Sequence, residues 1–170
     1  MKVTIPYTPR KQQAFIHKEL DKHRFSVLCC HRRFGKTVML INHLIKCCMM
    51  NKNHQPRFAY IAPTYSQAKK IAWDYLKFYT KGLPNTKYNE TELRCDFFNG
   101  SRITLLSSEN PDSIRGIYLD GVVCDEASQI SRELIDEVIR PAIADRKGWM
   151  SLCSTPKGMN NIFYDMYLKA

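Results

Sequence analysis

The segment Cys30–Thr37 constrains the fold of this chain more than any other, because it lies between an apolar run and a helical pattern. It reads Cys-His-Arg-Arg-Phe-Gly-Lys-Thr and fits the phosphate-loop pattern G-x-x-x-x-G-K-[ST], except that Cys30 replaces the first glycine. Such a loop needs a strand before it and a helix N-terminus after it, since backbone N–H groups and the helix dipole together bind phosphate. The segment therefore predicts an α/β domain organised around a phosphate-binding turn.

The remaining chain alternates short apolar runs with helical patterns. The apolar runs are bounded by polar residues, glycine or proline, as is typical of buried parallel strands, and they are Phe25–Cys30, Phe58–Ala62, Ile103–Leu106, Gly121–Cys124 and Trp149–Cys153. The helical patterns cover Lys36–Met50, Tyr65–Lys81 and Arg132–Ala144, with an interruption expected near Pro141. The alternation predicts one domain over residues 1–170, with a central, mainly parallel sheet flanked by helices.

One pair of runs breaks this alternation. Leu93–Phe98 and Ser101–Ser107 flank Asn99-Gly100, which is the strongest two-residue hairpin signal because both central positions need a positive φ. We therefore expect an antiparallel hairpin ahead of the strand that leads to Asp125.

Composition narrows the class of protein. The seven cysteines lack the spacing of zinc ligands and predict a reduced protein with neither structural zinc nor disulfides, in which Cys29, Cys124 and Cys153 pack as small hydrophobic residues. No apolar stretch approaches the roughly 20 residues of a membrane span, and no signal core begins the chain, so the cytoplasm is the default compartment. The net charge of +10 favours a polyanionic partner, with a solvated basic surface as the alternative.

The loop residues have separate expected roles. Gly35 allows close backbone approach, Lys36 reaches the β- and γ-phosphates, and Thr37 ligates Mg²⁺ through its hydroxyl. Two arginines inside the loop are unusual, and one of them is expected to contact the γ-phosphate, with a solvated charge pair as the alternative. The predicted nucleotide-binding residues of the loop are Cys30, His31, Arg32, Arg33, Phe34, Gly35, Lys36 and Thr37.

Polar residues follow two later apolar runs. Asp125 is expected to hold Mg²⁺ and Glu126 to orient and deprotonate an attacking water, whereas an acidic helix cap is the alternative. Ser154 and Thr155 are expected to sense the γ-phosphate through that water, whereas an ordinary loop start before Pro156 is the alternative.

Together these segments resemble the large terminase subunit of tailed double-stranded DNA bacteriophages. The matching segments occur in the order of that family between residue 7 and about residue 167, and they are Tyr7–Gln13, the deviant phosphate loop, Tyr60–Thr64 with Gln67–Lys69, Asn110–Gly116, Asp125–Ala127, Ser154–Gly158 and Asn161–Tyr164. The resemblance implies a P-loop NTPase of the ASCE type that uses ATP and Mg²⁺.

The resemblance also implies an assembly and several residue roles. Large terminases form a ring, usually of five subunits, on a capsid portal in the host cytoplasm, work with a small terminase subunit and translocate double-stranded DNA. Gln13 would then bond the adenine edge with Tyr7 or Arg10 beside it, and Arg32 would be the loop arginine. Arg115 would be an arginine finger given to a neighbouring subunit. From the residues alone, Arg115 has an alternative role in an ion pair with Asp112 or Asp120.

Large terminases continue into a lid subdomain and a nuclease domain, and we expect both to be absent here, with no nuclease activity. Two other functions stay open. One is a superfamily-two helicase-like DNA-dependent ATPase, although Asp125–Ser128 is a poor match for the corresponding helicase motif. The other is a non-catalytic DNA-binding fragment. Contacts to DNA are expected to be sequence-independent phosphate contacts. The candidate residues for them are Lys69, Lys70, Lys77, Lys81, Arg146 and Lys147.

Overall fold

A computed structural model describes residues 4–170, which form a seven-stranded sheet. The strands are β1 (Phe25–Cys29), β2 (Arg57–Ala62), β3 (Lys87–Asn89), β4 (Arg94–Asp96), β5 (Arg102–Ser107), β6 (Gly121–Asp125) and β7 (Trp149–Ser154). Their order across the sheet is β1-β7-β6-β2-β5-β4-β3, and the pairs from β1 to β5 are parallel. The predicted mainly parallel sheet is therefore confirmed, and its parallel strands match the predicted apolar runs to within one residue at either end.

Helices cover both faces of this sheet. They are α1 (Lys11–Leu20), α2 (Lys36–Met50), a helix over 65–80, a helix over 134–144, and the helix Ile162–Lys169. Along β2 the side chains of Phe58 and Tyr60 enter the core on the α2 side, whereas Ala59 and Ile61 enter the core on the opposite side. Burial on both faces explains why these strands are continuously apolar rather than alternating.

The predicted interruption near Pro141 is a change in hydrogen-bond spacing. Leu134–Ile139 is π-helical, and Arg140–Ala144 continues as α-helix through Pro141. Proline lacks an N–H group and its ring clashes with the carbonyl four residues earlier in an α-helix. The wider turns directly before Pro141 accommodate both effects, so the helix passes through the proline without breaking.

The hairpin at Asn99-Gly100 is present, but its turn differs from the predicted one. Gly100 has a φ of +80°, whereas Asn99 is not among the residues of 4–170 that have a positive φ. The Phe97 N–H donates to Ser101 O at 2.9 Å and the Gly100 N–H donates to Phe97 O at 3.0 Å, which makes a three-residue loop. The Asn99 amide donates instead to Cys48 O on α2 at 2.8 Å. This contact attaches the hairpin to α2, and β3 extends it by a third, unpredicted strand.

The prediction that three cysteines pack as small hydrophobic residues holds for two of them. Cys124 and Cys153 are fully buried in the sheet as predicted, but Cys29 is exposed. β1 is an edge strand of the sheet formed by residues 4–170, so its side chains are covered less completely than those of β6 and β7. Among the helices in that part of the chain, none has the length and apolar character needed to cross a membrane.

Candidate active site

The strand order brings the predicted site residues to one edge of the sheet. β1, β7 and β6 are parallel neighbours, so the loop after β1, Ser154 at the end of β7 and Asp125 at the end of β6 lie side by side. The Cys30 N–H donates to Ser154 O at 3.0 Å and fixes the start of the loop against β7. Ligands of open α/β sheets bind at this carboxyl edge.

The loop backbone takes a shape that requires glycine at its end. Gly35 has a φ of +84° directly before α2. A Cβ atom at this position would lie 2.6 Å from Arg10 Nη2 and 2.9 Å from Gln13 Nε2. The backbone conformation therefore favours glycine at position 35, and a Cβ atom there would displace the side-chain ends of Arg10 and Gln13.

The start of α1 supports the loop from outside. Arg10 Nη2 donates to Phe34 O at 2.6 Å, and Gln13 Nε2 donates to the same oxygen at 3.2 Å. Gln13 Oε1 accepts from the Arg10 N–H at 3.0 Å, and the Gln13 side chain is buried. Tyr7 lies elsewhere, with its hydroxyl bonded to His17 Nε2 at 2.9 Å. Thus Arg10 and Gln13 reach the loop but Tyr7 does not, and their adenine contacts stay a prediction.

Asp125 is held by three donors. Its Oδ2 accepts from Thr37 Oγ1 at 2.9 Å and from the Tyr60 hydroxyl at 2.5 Å, and its Oδ1 accepts from the Glu126 N–H at 3.0 Å. Burial raises the pKa of Asp125, and the hydrogen bonds from Tyr60 and Thr37 oppose that rise. A hydroxyl beside a carboxylate is the kind of oxygen donor set that Mg²⁺ prefers, so the residues present fit this ion.

Glu126 is placed between the loop lysine and two hydroxyls. Lys36 Nζ lies 3.4 Å from Glu126 Oε1, and Ser154 Oγ and Thr155 Oγ1 each donate to Oε2 at 3.3 Å. The Lys36 side chain is 9% exposed, whereas that of Glu126 is 31% exposed and opens towards solvent. The structure thus brings together four residues that the sequence singled out separately.

Two cavities meet at Glu126. A cleft of about 570 Å³ is lined by His31, Arg32, Gln67, Glu126, Gln129, Thr155, Pro156 and Lys157. A smaller cavity of about 210 Å³ has Thr37, Tyr60, Gln67, Asp125 and Glu126 among its lining residues. Arg32 therefore faces the site, whereas Arg33 lines neither cavity.

Arg115 lies apart from this site. It lines a different cavity of about 390 Å³ together with Glu137 and Asp145. Its Nε is 3.4 Å from Asp112 Oδ1, and both side chains are more than half exposed. Asp120, the other suggested partner, accepts instead from the Arg57 N–H at 2.8 Å. The exposed pair with Asp112 contributes little to stability, so it leaves Arg115 available for other contacts.

Sequence reasoning assigned no role to three residues of the site. Tyr60 bonds Asp125, Gln67 lines both cavities, and Ser128 Oγ lies 2.8 Å from Ser154 Oγ. For Tyr60 a signal existed, because a phenol inside an apolar strand needs a buried hydrogen-bond partner. Gln67 and Ser128 lie in polar segments that carry no such signal.

Comparison with known proteins identifies the family. A protein-family model described as "Terminase large subunit, T4likevirus-type, N-terminal" matches residues 31–170, which is most of the chain. The chain belongs to this family. The large terminase subunit of Thermus phage G20c is 29% identical over 181 residues, covering 95% of this chain and 36% of that protein. The chain therefore spans little more than a third of this curated terminase relative.

Solved terminase structures agree with the fold. The large terminase ATPase domain of Thermus phage P74-26 has a TM-score of 0.79 and 27% identity, covering 96% of this chain and 71% of that one. The large terminase of a thermophilic bacteriophage in complex with ATP-gamma-S has a TM-score of 0.75 and 16% identity, covering 94% of this chain and 41% of that one. The predicted ASCE P-loop fold is therefore confirmed for this terminase chain.

Proposed function

We propose that this chain is the ATP-hydrolysing domain of a viral DNA-packaging motor, which drives translocation of double-stranded DNA into a procapsid. The observation that carries the proposal is the meeting of Lys36, Asp125 and Glu126 around one loop at the carboxyl edge of the sheet. A loop that binds phosphate, a carboxylate for a metal ion and a second carboxylate for water are together what ATP hydrolysis needs. Membership in the terminase family supplies the packaging context.

The geometry supports a separate role for each of these residues. Lys36, at the start of α2, binds the β- and γ-phosphates, while Arg32 reaches the γ-phosphate from the cleft that it shares with Glu126. Thr37 and Asp125 hold Mg²⁺, which when bound neutralises charge on the phosphate oxygens. Glu126 orients the attacking water and accepts its proton.

The contacts of Glu126 suggest how the base is kept in place. Ser154 and Thr155 both donate to Oε2, while Lys36 lies beside Oε1. A phosphate competes with Glu126 for Lys36, and this competition frees Oε1 for water while Oε2 keeps its two donors. Ser154 and Thr155 therefore connect the base to the end of β7, next to the start of the loop.

The remote position of Arg115 supports a role across a subunit interface. Arg115 is exposed beside a cavity that is separate from the Lys36–Glu126 site. We infer that it acts as an arginine finger on a neighbouring subunit, in a ring of five on a capsid portal in the host cytoplasm. A small terminase subunit is a further proposed partner. An arginine supplied in trans contributes about 10³–10⁵-fold in rate, so the isolated subunit is expected to turn over ATP slowly.

The basic surface of the chain supports contact with DNA phosphates. The basic residues predicted to make these contacts differ in how exposed they are and in whether they already contact other groups of the chain. Lys69, Lys70 and Lys81 are exposed, whereas Lys77 lies 3.1 Å from Glu90 Oε1. Arg146 donates to His54 O at 3.0 Å and stacks over Tyr118. Lys69 and Lys70 on the 65–80 helix, and Lys81 directly after it, are thus the better candidates for sequence-independent contacts.

ATP turnover with and without double-stranded DNA, measured alongside oligomeric state, tests the proposal. We expect Mg²⁺-dependent turnover that rises with assembly and with any DNA sequence. Turnover by a verified monomer at the assembled rate would favour a helicase-like enzyme. DNA binding without ATP binding would favour a non-catalytic fragment.

A further inference from the structure

A buried tyrosine hydroxyl is bonded to the carboxylate that is proposed to hold Mg²⁺. Tyr60 lies on β2 and pairs in register with Val123 on β6, two residues before Asp125. Its hydroxyl is 2.5 Å from Asp125 Oδ2, and Tyr60 is only 3% exposed. A hydroxyl that donates to a carboxylate makes a charge-assisted hydrogen bond, which is stronger than one between neutral groups.

We propose that Tyr60 is a positioning residue, which fixes the Asp125 carboxylate in the orientation that binds the magnesium ion of Mg-ATP. This inference rests on the proposed function. Three donors fix Asp125, but two of them belong to segments that are proposed to contact the nucleotide or its water: Thr37 is the second residue of α2, and the Glu126 N–H belongs to the proposed base. Tyr60 is the donor that comes from a separate strand of the sheet, so its hold on Asp125 does not depend on the phosphate loop or on the proposed base.

The surroundings of Tyr60 favour this role over simple packing. Tyr60 lines the cavity of about 210 Å³ that Thr37 and Asp125 also line. The ring belongs to the core between the sheet and α2, which prevents the hydroxyl from turning away. Residues that hold a metal ligand by a hydrogen bond typically change metal affinity by about 10–100-fold when they are replaced.

The test measures ATP and ADP affinity of the whole chain in Mg²⁺ and in EDTA. Tyr60→Phe keeps the ring and removes only the hydroxyl. We expect nucleotide affinity to fall by about 10–100-fold in Mg²⁺ and to stay unchanged in EDTA. Tyr88→Phe is the matched control, because its hydroxyl lies 2.9 Å from Thr80 Oγ1, away from the site. It should leave both affinities as they are.

A double-mutant cycle distinguishes positioning from packing. If Tyr60 acts through Asp125, then Tyr60→Phe should have no further effect on Mg²⁺-dependent affinity in an Asp125→Asn background. An equal loss in Mg²⁺ and in EDTA, or full additivity with Asp125→Asn, would overturn the inference. A thermal melt in EDTA checks folding, and a Tyr60→Phe variant that does not fold would show a packing role and also overturn it. If the wild-type chain shows no Mg²⁺-dependent nucleotide binding, the proposed function fails instead.

Discussion

Glu126 has a backbone conformation that is uncommon for a residue other than glycine. Its φ of +49° and ψ of +44° lie in the left-handed region, directly after β6. Such a conformation costs about 1–2 kcal/mol and persists only where its surroundings impose it. Here the turn directs the carboxylate towards Lys36, Ser154 and Thr155 instead of continuing the strand. The strain is consistent with the role proposed for this side chain.

Replacing Glu126 with glutamine tests that role at the scale of one residue. The amide keeps the size of the side chain but cannot accept the proton of the attacking water. We expect ATP turnover to fall by about 10²–10⁴-fold while nucleotide affinity is retained. Turnover and equilibrium binding of ATP are the two measurements. Glu133→Gln, at an exposed position outside the cleft, is the control, and unchanged turnover in Glu126→Gln would refute the assignment.

At the scale of elements, the phosphate loop depends on its contact with α1. Arg10 and Gln13 contact the loop carbonyl of Phe34 and fill the space beside Gly35. The loop is therefore held between β1, α2 and the first turn of α1. A helix that precedes β1 in the sequence thereby becomes part of the proposed nucleotide site.

Gly35→Ala should disrupt this contact. The alanine meets both a positive φ, which costs about 1–2 kcal/mol, and a clash with Arg10 and Gln13. Gly100→Ala is the matched control, since Gly100 has a φ of +80° but no atom lies within 4 Å of its added Cβ. We expect Gly35→Ala to lose more stability in denaturant unfolding than Gly100→Ala and to lose nucleotide affinity as well. Equal losses of stability in the two variants would exclude the clash.

A pair of stacked histidines lies between α1 and α2. His17 Nδ1 lies 3.2 Å from His43 Nδ1, and the two rings stack with a centroid distance of 5.4 Å. Burial, and then the neighbouring His17, lower the pKa of His43 to about 4, and burial also lowers the pKa of His17. Both rings are therefore neutral in the folded protein at neutral pH. Two neutral rings do not repel each other, so they can stack.

This pair predicts a loss of stability in mild acid. His43 binds its proton near pH 6.5 in the unfolded chain but only near pH 4 in the folded chain, so its contribution to stability is complete above pH 6.5 and declines as the pH falls towards 4. The loss for His43 is roughly 3 kcal/mol. His43→Phe keeps a stacked ring and should flatten the decline in denaturant unfolding, whereas exposed His23→Gln should not. Parallel pH profiles for wild type and His43→Phe would contradict the prediction.

At the scale of the whole molecule, the proposed motor requires contacts between subunits. Arg115 and the Lys36–Glu126 site occupy different cavities of the same chain. One subunit therefore presents Arg115 on a surface separate from its own proposed ATP site. This arrangement suits a ring, in which each subunit gives a residue to one neighbour and receives one from the other.

Arg115→Ala tests the subunit contact. We expect unchanged nucleotide affinity and a loss of turnover only under conditions where subunits assemble. Mixing Arg115→Ala subunits with Glu126→Gln subunits should restore part of the turnover, since some interfaces then pair an intact Arg115 with an intact Glu126. Arg132→Ala, which removes another exposed arginine, is the control. Equal loss of turnover in a verified monomer, without recovery on mixing, would exclude a finger in trans.

The sequence alone determined the features that depend on residues close together along the chain. The strand runs, α2 and the Cys30–Thr37 loop were predictable because a buried strand, an amphipathic helix and a glycine turn each have a local pattern. The identities of Lys36, Asp125 and Glu126 were predictable for the same reason, since each follows a strand or opens a helix at a fixed spacing.

Only the tertiary structure decided which of these local features meet. The position of β7 between β1 and β6 joins Glu126 to Ser154 and Thr155, and no local pattern encodes strand order. The hydrogen bond from Tyr60 to Asp125 joins residues that are 65 positions apart. The exposure of Cys29 and the remote position of Arg115 likewise follow from how the sheet is assembled. Pairing between distant segments sets these contacts, and the free energy of that pairing comes from burial across the whole core rather than from any single segment.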